Sequence, residues 1–183
     1  LKTIKSEGAR MYRLIGDMLS LAYVENKSWS IMKTDCELDT LLLDTYEKYQ
    51  PILHEKKISL KVVLPEEPLS ICKCDSARIS QVLGILLDNG ASYVPAGGRM
   101  EMGVKENEKY FQLYVQDNGP GISDENKEAV FRRFYRADPA RKEKKHFGLG
   151  LCISREIVTL HKGSIRILDT PGGGSTFVIR LPK

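Results

Sequence analysis

The sequence predicts an α+β fold: a two-layer arrangement in which helices cover one face of a mixed or antiparallel sheet, preceded by one long helix. Three observations carry this. Apolar residues recur at helical spacing in four separate segments, short alternating segments bounded by proline and glycine lie between them, and 42% hydrophobic with 28% charged residues suffices for a packed core. At 183 residues there is room for one domain of usual size and an appendage.

In the first segment Ile4, Met11, Ile15, Met18 and Ala22 form an a/d seam. A lone helix of this kind is marginal in water and needs a partner. The polar stretch from Glu25 to Asp35 reads as its exit, so the expected units are residues 1–33 and 34–183. A second helix is expected over Glu37–Leu53, with Leu38, Leu42, Thr45, Tyr49 and Ile52 inward. Ile58–Leu64 alternates like a half-buried strand ended by Pro65 and Pro68, and Ser70–Lys73 reads as a short strand.

Asp75 is the expected N-cap of a helix to Tyr93 with Ile79, Val82, Leu83, Leu86 and Leu87 inward. Pro95, Gly97 and Gly98 turn the chain into strands Arg99–Lys105 and Lys109–Asp117. Ser123–Phe147, long and charged, is expected to be a mobile lid. A helix over Leu149–His161 buries Leu149, Ile153, Ile157 and Leu160, and strands Ser164–Leu168 and Thr176–Leu181 close the fold around Gly172–Gly174.

The longest apolar run, Val82–Leu87, is too short to cross a bilayer. The chain starts at Leu1 without an initiator Met, which leads us to expect a piece of something longer. Cys72 and Cys74 should share one strand face. With no second Cys or His pair at zinc spacing, Cys36, Cys72, Cys74 and Cys152 read as reduced thiols. A net charge of +4 does not suggest a nucleic-acid binder. The positive charge is concentrated, however, in Arg132, Arg133, Arg136, Arg141, Lys142, Lys144 and Lys145, where the competing readings are a solvated loop and a contact to an anion such as a triphosphate.

The chemistry centres on Asp117-Asn118-Gly119-Pro120-Gly121-Ile122 and Gly148-Leu149-Gly150-Leu151. A carboxylate can accept a hydrogen bond from an exocyclic amine such as that of adenine. Glycines opening a helix let backbone N–H groups approach phosphate. Positions 85, 89 and 93 lie one turn apart on one helix face. Asn89 offers a carbonyl oxygen to Mg²⁺, against the alternative of an Asn capping its own helix, and Tyr93 is either a site or a core residue.

With these motifs the chain resembles the ATP-binding domain of sensor histidine kinases, within the GHKL ATPase superfamily. Gln81–Asn89 is similar to the family's N box, Asp117–Ile122 to its first glycine box, and Phe131–Arg136 to its F box. Gly148–Leu151 is similar to a second glycine box and Gly174–Phe177 to a third, while Arg10, Leu14 and Asp17–Leu19 resemble the second helix of the family's dimerisation and phosphotransfer hairpin. The resemblance implies a Bergerat fold, ATP and Mg²⁺ as ligands, and Asn89 as the metal ligand. It implies Asp117 and Thr176 at the adenine, Gly119 and Gly121 leaving room for the base, and Ile122 lining its pocket. Tyr93 falls among the nucleotide contacts, Arg136 reaches the terminal phosphates, and Gly148, Leu149, Gly150 and Leu151 bring backbone to them. It further implies homodimerisation through the hairpin, a response regulator receiver domain as partner, no nucleic-acid partner, and a cytoplasmic location within an inner-membrane sensor protein.

Three departures from the family pattern stand out. Ile85 replaces a common second Asn, Ser92 a common Lys or Arg, and His146-Phe147 the usual small residues before Gly148. They motivate a rival reading, a degenerate nucleotide-binding regulatory or scaffold module; another GHKL ATPase, such as an anti-sigma-factor kinase, fits the F box and leading helix less well. None of His54, His146 and His161 reads as the family's phosphoacceptor. His54-Glu55 mimics the His–acidic pair but lies outside a two-helix context. His161 falls at a helix C-terminus, where a cation is favourable.

Overall fold

The structure, a computed structural model, describes residues 30–135 and 148–183, together with the helical positions Gly8, Met11, Ile15, Gly16 and Met18. Of the expected seam, Met11, Ile15 and Met18 are helical and 62%, 53% and 50% exposed. Ile4 and Ala22 lie outside the described residues, as do Arg136 and the rest of 136–147.

In chain order the elements are β1 (Thr34–Cys36), α1 (Leu38–Glu55), β2 (Ser59–Val63), β3 (Cys72–Cys74), α2 (Ser76–Tyr93), β4 (Arg99–Glu106), β5 (Tyr110–Asp117), α3 (Asp124–Ala129), α4 (Gly150–Leu160), β6 (Ser164–Asp169) and β7 (Ser175–Pro182). Five strands form one sheet in the order β2-β4-β5-β7-β6; β2 and β4 are parallel and every other pair is antiparallel. The sheet is therefore mixed. β1 and β3 form a separate antiparallel pair.

Alternation explains the layers. Along β5, Phe111, Leu113, Val115 and Asp117 are buried while the residues between them are half-buried, so one face carries the core and the other is polar. Onto that core face α2 lays its stripe of Ile79, Val82, Leu83, Leu86 and Leu87, all fully buried. α1 and α4 flank α2. Asp75 caps α2 as expected, its Oδ1 accepting the N–H of Arg78 at 3.1 Å.

Some expectations need correction. Leu53 rather than Ile52 faces the core of α1, Ile52 being 43% exposed, and Val158 rather than Leu160 completes the buried face of α4. Leu53, one position from Ile52, and Val158, two positions from Leu160, lie better on the 3.6-residue stripe. The stretch after Ser123 is not all loop: α3 forms there, Lys127 Nζ joins Asp169 of β6 at 2.8 Å, and Phe131 is 2% exposed in the core. His54 sits in the last turn of α1.

Candidate functional site

Between α2, the C-terminal end of β5 and the start of α4 lies a cleft of about 190 Å³. α2 contributes Ile85, Asn89, Gly90 and Tyr93, so the four-residue spacing does place one helix face on the cleft. Tyr93 is 39% exposed and lines the cleft rather than the core. Asn89 does not cap its helix; the C-cap is Val94, whose N–H reaches Gly90 O.

Asp117 forms the floor. It is 8% exposed, and its Oδ1 accepts the backbone N–H of Gly119 at 2.8 Å and of Ser175 at 3.4 Å. No described hydrogen bond reaches Oδ2, which leaves one oxygen of this cleft-lining residue able to accept from a ligand. Burial pushes the carboxyl above the ordinary Asp range, and the two backbone donors pull partly back. Asn118 is turned away: its Oδ1 accepts the Arg99 N–H at 2.8 Å and ties the turn to β4.

Past Asp117 the chain must make a tight approach. Gly174 has φ +107° and a Cβ there would fall 1.9 Å from the carbonyl oxygen of Asp117, so only glycine lets the β6–β7 turn lie against the end of β5. Gly121, φ +78°, faces that same turn, and a Cβ on Gly119 would come within 2.9 Å of Asp117 Oδ1. Gly121 and Ile122 line the cleft with Pro120 and Ser123.

The far wall is the start of α4. Gly148 has φ +75°, and a Cβ on it would meet the Tyr135 carbonyl oxygen at 2.7 Å. Gly148 O accepts the Phe134 N–H at 3.0 Å. Gly148, Gly150 and Leu151 line the cleft, and the helix N-cap, Leu149, supplies no side-chain cap. The first N–H groups of α4 are thus presented with the positive end of the helix dipole, the arrangement that suits phosphate. Leu149 itself is fully buried and can contribute only backbone.

Thr176 does not sit beside Asp117. Its Oγ1 meets Thr170 Oγ1 at 2.9 Å and Gln116 Oε1 at 3.5 Å, off the cleft, whereas its neighbours Ser175 and Phe177 line the cleft. A one-residue offset on a strand reverses the face. Asn126, Val130 and Tyr135 also line the cleft, because α3 folds back over it, and of the three only Tyr135 lies within a sequence motif, Phe131–Arg136; Tyr135 OH donates to Asn126 Oδ1. Arg136 lies outside the described residues; Arg133 lies against Cys152. Ser92 donates its hydroxyl to Asp88 O at 2.8 Å.

His161 proves buried, 2% exposed. Burial lowers its proton affinity below the ordinary histidine value, against the cation that a helix C-terminus favours. Among the described residues no group of three or more His, Cys, Asp or Glu is placed to hold a metal, so any cation at Asn89 draws its remaining ligands from elsewhere. No described helix is long and apolar enough to cross a membrane.

Residues 74–183 match the family described as histidine kinase-, DNA gyrase B-, and HSP90-like ATPase. Over its whole length the chain is 33% identical to the sensor protein SrrB of Staphylococcus aureus strain N315, and it spans 31% of that protein. It is similar to the solved histidine kinase AdeS of Acinetobacter baumannii, with a TM-score of 0.80 and 25% identity over 99% of this chain and 82% of that one. It is also similar to full-length ShkA in complex with AMPPNP, with a TM-score of 0.87 over 99% of this chain and 37% of that one; at 21% identity this bears on the fold alone.

Proposed function

The chain belongs to the histidine kinase-, DNA gyrase B-, and HSP90-like ATPases, as an ATP-binding kinase domain of the sensor histidine kinase type, and from that premise we propose how its residues hold ATP and what the longer protein does with it. The observation that carries the reading is Asp117: a buried carboxylate with one oxygen held by two backbone N–H groups and the other left for a ligand. Adenine offers the amine that fits it, with Ile122 against the base and Gly119 and Gly121 leaving it room. The triphosphate then runs toward the uncapped start of α4, where Gly148–Leu151 present backbone N–H groups. Arg136 is assigned to the terminal phosphates on the family resemblance.

Asn89 would hold Mg²⁺ through its side-chain carbonyl, with the phosphates as the other ligands. Bound there, the metal would screen phosphate charge as the terminal group departs. The chain's own residues bind and orient, which is most of what such a transfer requires.

In the longer protein, the γ-phosphoryl moves to a histidine outside this chain, ADP leaves, and an aspartate of a response regulator receiver domain receives the group. Residues 1–33 serve as the second helix of a dimerisation hairpin; the exposure of Met11, Ile15 and Met18 supports a seam that another helix covers. The parent is a homodimer and an inner-membrane sensor with this domain in the cytoplasm.

One observation favours the degenerate-module reading. Ile85 lines the cleft, and its Cγ2 comes within 2.9 Å of where a Gly150 Cβ would stand, so an apolar branch faces the start of the phosphate helix. Incubation with γ-labelled ATP separates the two. The kinase reading expects acid-labile, base-stable label on the parent protein and none on this chain alone; a parent that binds ATP and never acquires label favours the module.

A further inference from the structure

Three of the four cysteines meet on the β1–β3 pair. Cys36 lies directly opposite Cys72, and Cys74, two residues along, shares their face. All are buried, at 7%, 1% and 0% exposed, and all are free thiols. The Cys74 side chain lies within hydrogen-bonding reach of both Cys72 and Cys36. Since no described cluster suits a metal, the shared chemistry open to these sulfurs is oxidation.

Geometry selects the pair. Directly opposed antiparallel residues have Cα atoms about 4.5 or 5.5 Å apart, within the roughly 4.4–6.8 Å that a disulfide spans. The diagonal pair Cys36 and Cys74, at roughly 7–8 Å, falls outside it. We propose that Cys36 and Cys72 are a reversible oxidation site for hydroperoxides, forming a cross-strand disulfide.

The hydrogen bond from Cys74 brings the Cys72 thiol below the usual cysteine range, while burial pushes Cys36 up, so Cys72 reacts first. Its thiolate attacks one peroxide oxygen; the O–O bond breaks, the departing oxygen takes a proton, and Cys72 becomes a sulfenic acid. Cys36 sulfur then attacks Cys72 sulfur, the S–S bond forms, the S–O bond breaks, and water leaves with the Cys36 proton. Two thiols are oxidised and one hydroperoxide is reduced. Burial makes the opening of β1, a strand of three residues, the pacing step.

The location gives the bond its consequence. β1 receives the chain from residues 30–33, and β3 runs directly into Asp75, whose Oδ2 accepts the Met32 N–H at 3.0 Å. A Cys36–Cys72 bond would fasten the incoming segment to the foot of α2. Asn89 stands about 20 Å further along that helix, so the proposal does not rest on the nucleotide reading.

The test is thiol counting and non-reducing peptide mapping of the folded chain after hydrogen peroxide and alkylation. The expected result is loss of two of the four thiols, a Cys36–Cys72 linked peptide, and recovery with dithiothreitol. Cys36→Ser should leave a Cys72 sulfenic acid trapped by dimedone, and Cys74→Ser should slow the reaction. Four free thiols after treatment, or a bridge through any other pair, would overturn the proposal, and the wild-type mapping decides it even if a variant fails to fold.

Discussion

Nε2 of His161, at the C-terminal end of α4, accepts the backbone N–H of Asp75, the N-cap of α2, at 2.9 Å. Its Nδ1 meets Ile157 O at 2.8 Å, so the ring is neutral with the proton on Nδ1, and a single imidazole bridges the helix that supplies Asn89 and the helix that starts at the phosphate wall. Lys33 Nζ, 3.5 Å from His161 O, adds to the burial that keeps the ring unprotonated, against the opposing Asp75 carboxylate.

This bridge gives a pH dependence of known sign. Burial depresses the folded-state proton affinity of His161, so the unfolded chain binds the proton more readily. The contribution is complete above the unfolded value of about 6.5 and is lost as pH falls through the depressed folded value. Denaturant unfolding followed across that range should show the loss in the wild type and a shallower one in His161→Ala. At neutral pH the same variant should cost about 1–3 kcal/mol, because the Asp75 N–H is left without its acceptor. Equal pH profiles would remove the bridge as a stabilising element.

Gly174→Ala should damage fold and site together. A Cβ 1.9 Å from the Asp117 carbonyl oxygen cannot be accommodated without moving the end of β5, and the positive φ adds strain of about 1–2 kcal/mol. A lowered melting temperature together with weaker ATP binding is expected. Gly172, which also has positive φ but open space around it, is the control, and its Ala variant should keep nucleotide binding.

The stripe from Ile79 to Leu87 and the cap at Asp75 could be read because both are local, as could the shared face of Cys72 and Cys74. Asp117 could be singled out as a carboxylate beside a glycine turn, and it lies on the cleft lining. Ser175 was missed in favour of Thr176 because the face of β7 is fixed only by its pairing with β5. β1 is too short to show alternation, and Asn126 and Tyr135 reach the cleft through a fold-back that no spacing encodes. His161 was misread for the same reason: a helix end suggests a cation, and only the packing of α4 against Asp75 makes it neutral.

Asn89→Ala should weaken Mg-ATP far more than metal-free adenosine. One uncharged protein oxygen holds a cation well only when phosphates supply the rest. Titration of Mg²⁺ into the wild type without nucleotide should show no tight binding. Tight binding there would mean that ligands other than Asn89 form the metal site.

Whether Asp117 receives the adenine amine is decided by calorimetric titration of ATP into wild type and Asp117→Asn. An amide there can place a donor against the amine, a mismatch of roughly 1.5–3 kcal/mol, or about tenfold or more in affinity. Wild-type affinity should also fall on acidification at a higher pH than an ordinary aspartate would give, because burial raises the Asp117 proton affinity and protonation removes the acceptor. ATP affinity is expected to drop strongly in the variant with GTP weak throughout; equal ATP affinity in the two proteins would remove Asp117 from the adenine site.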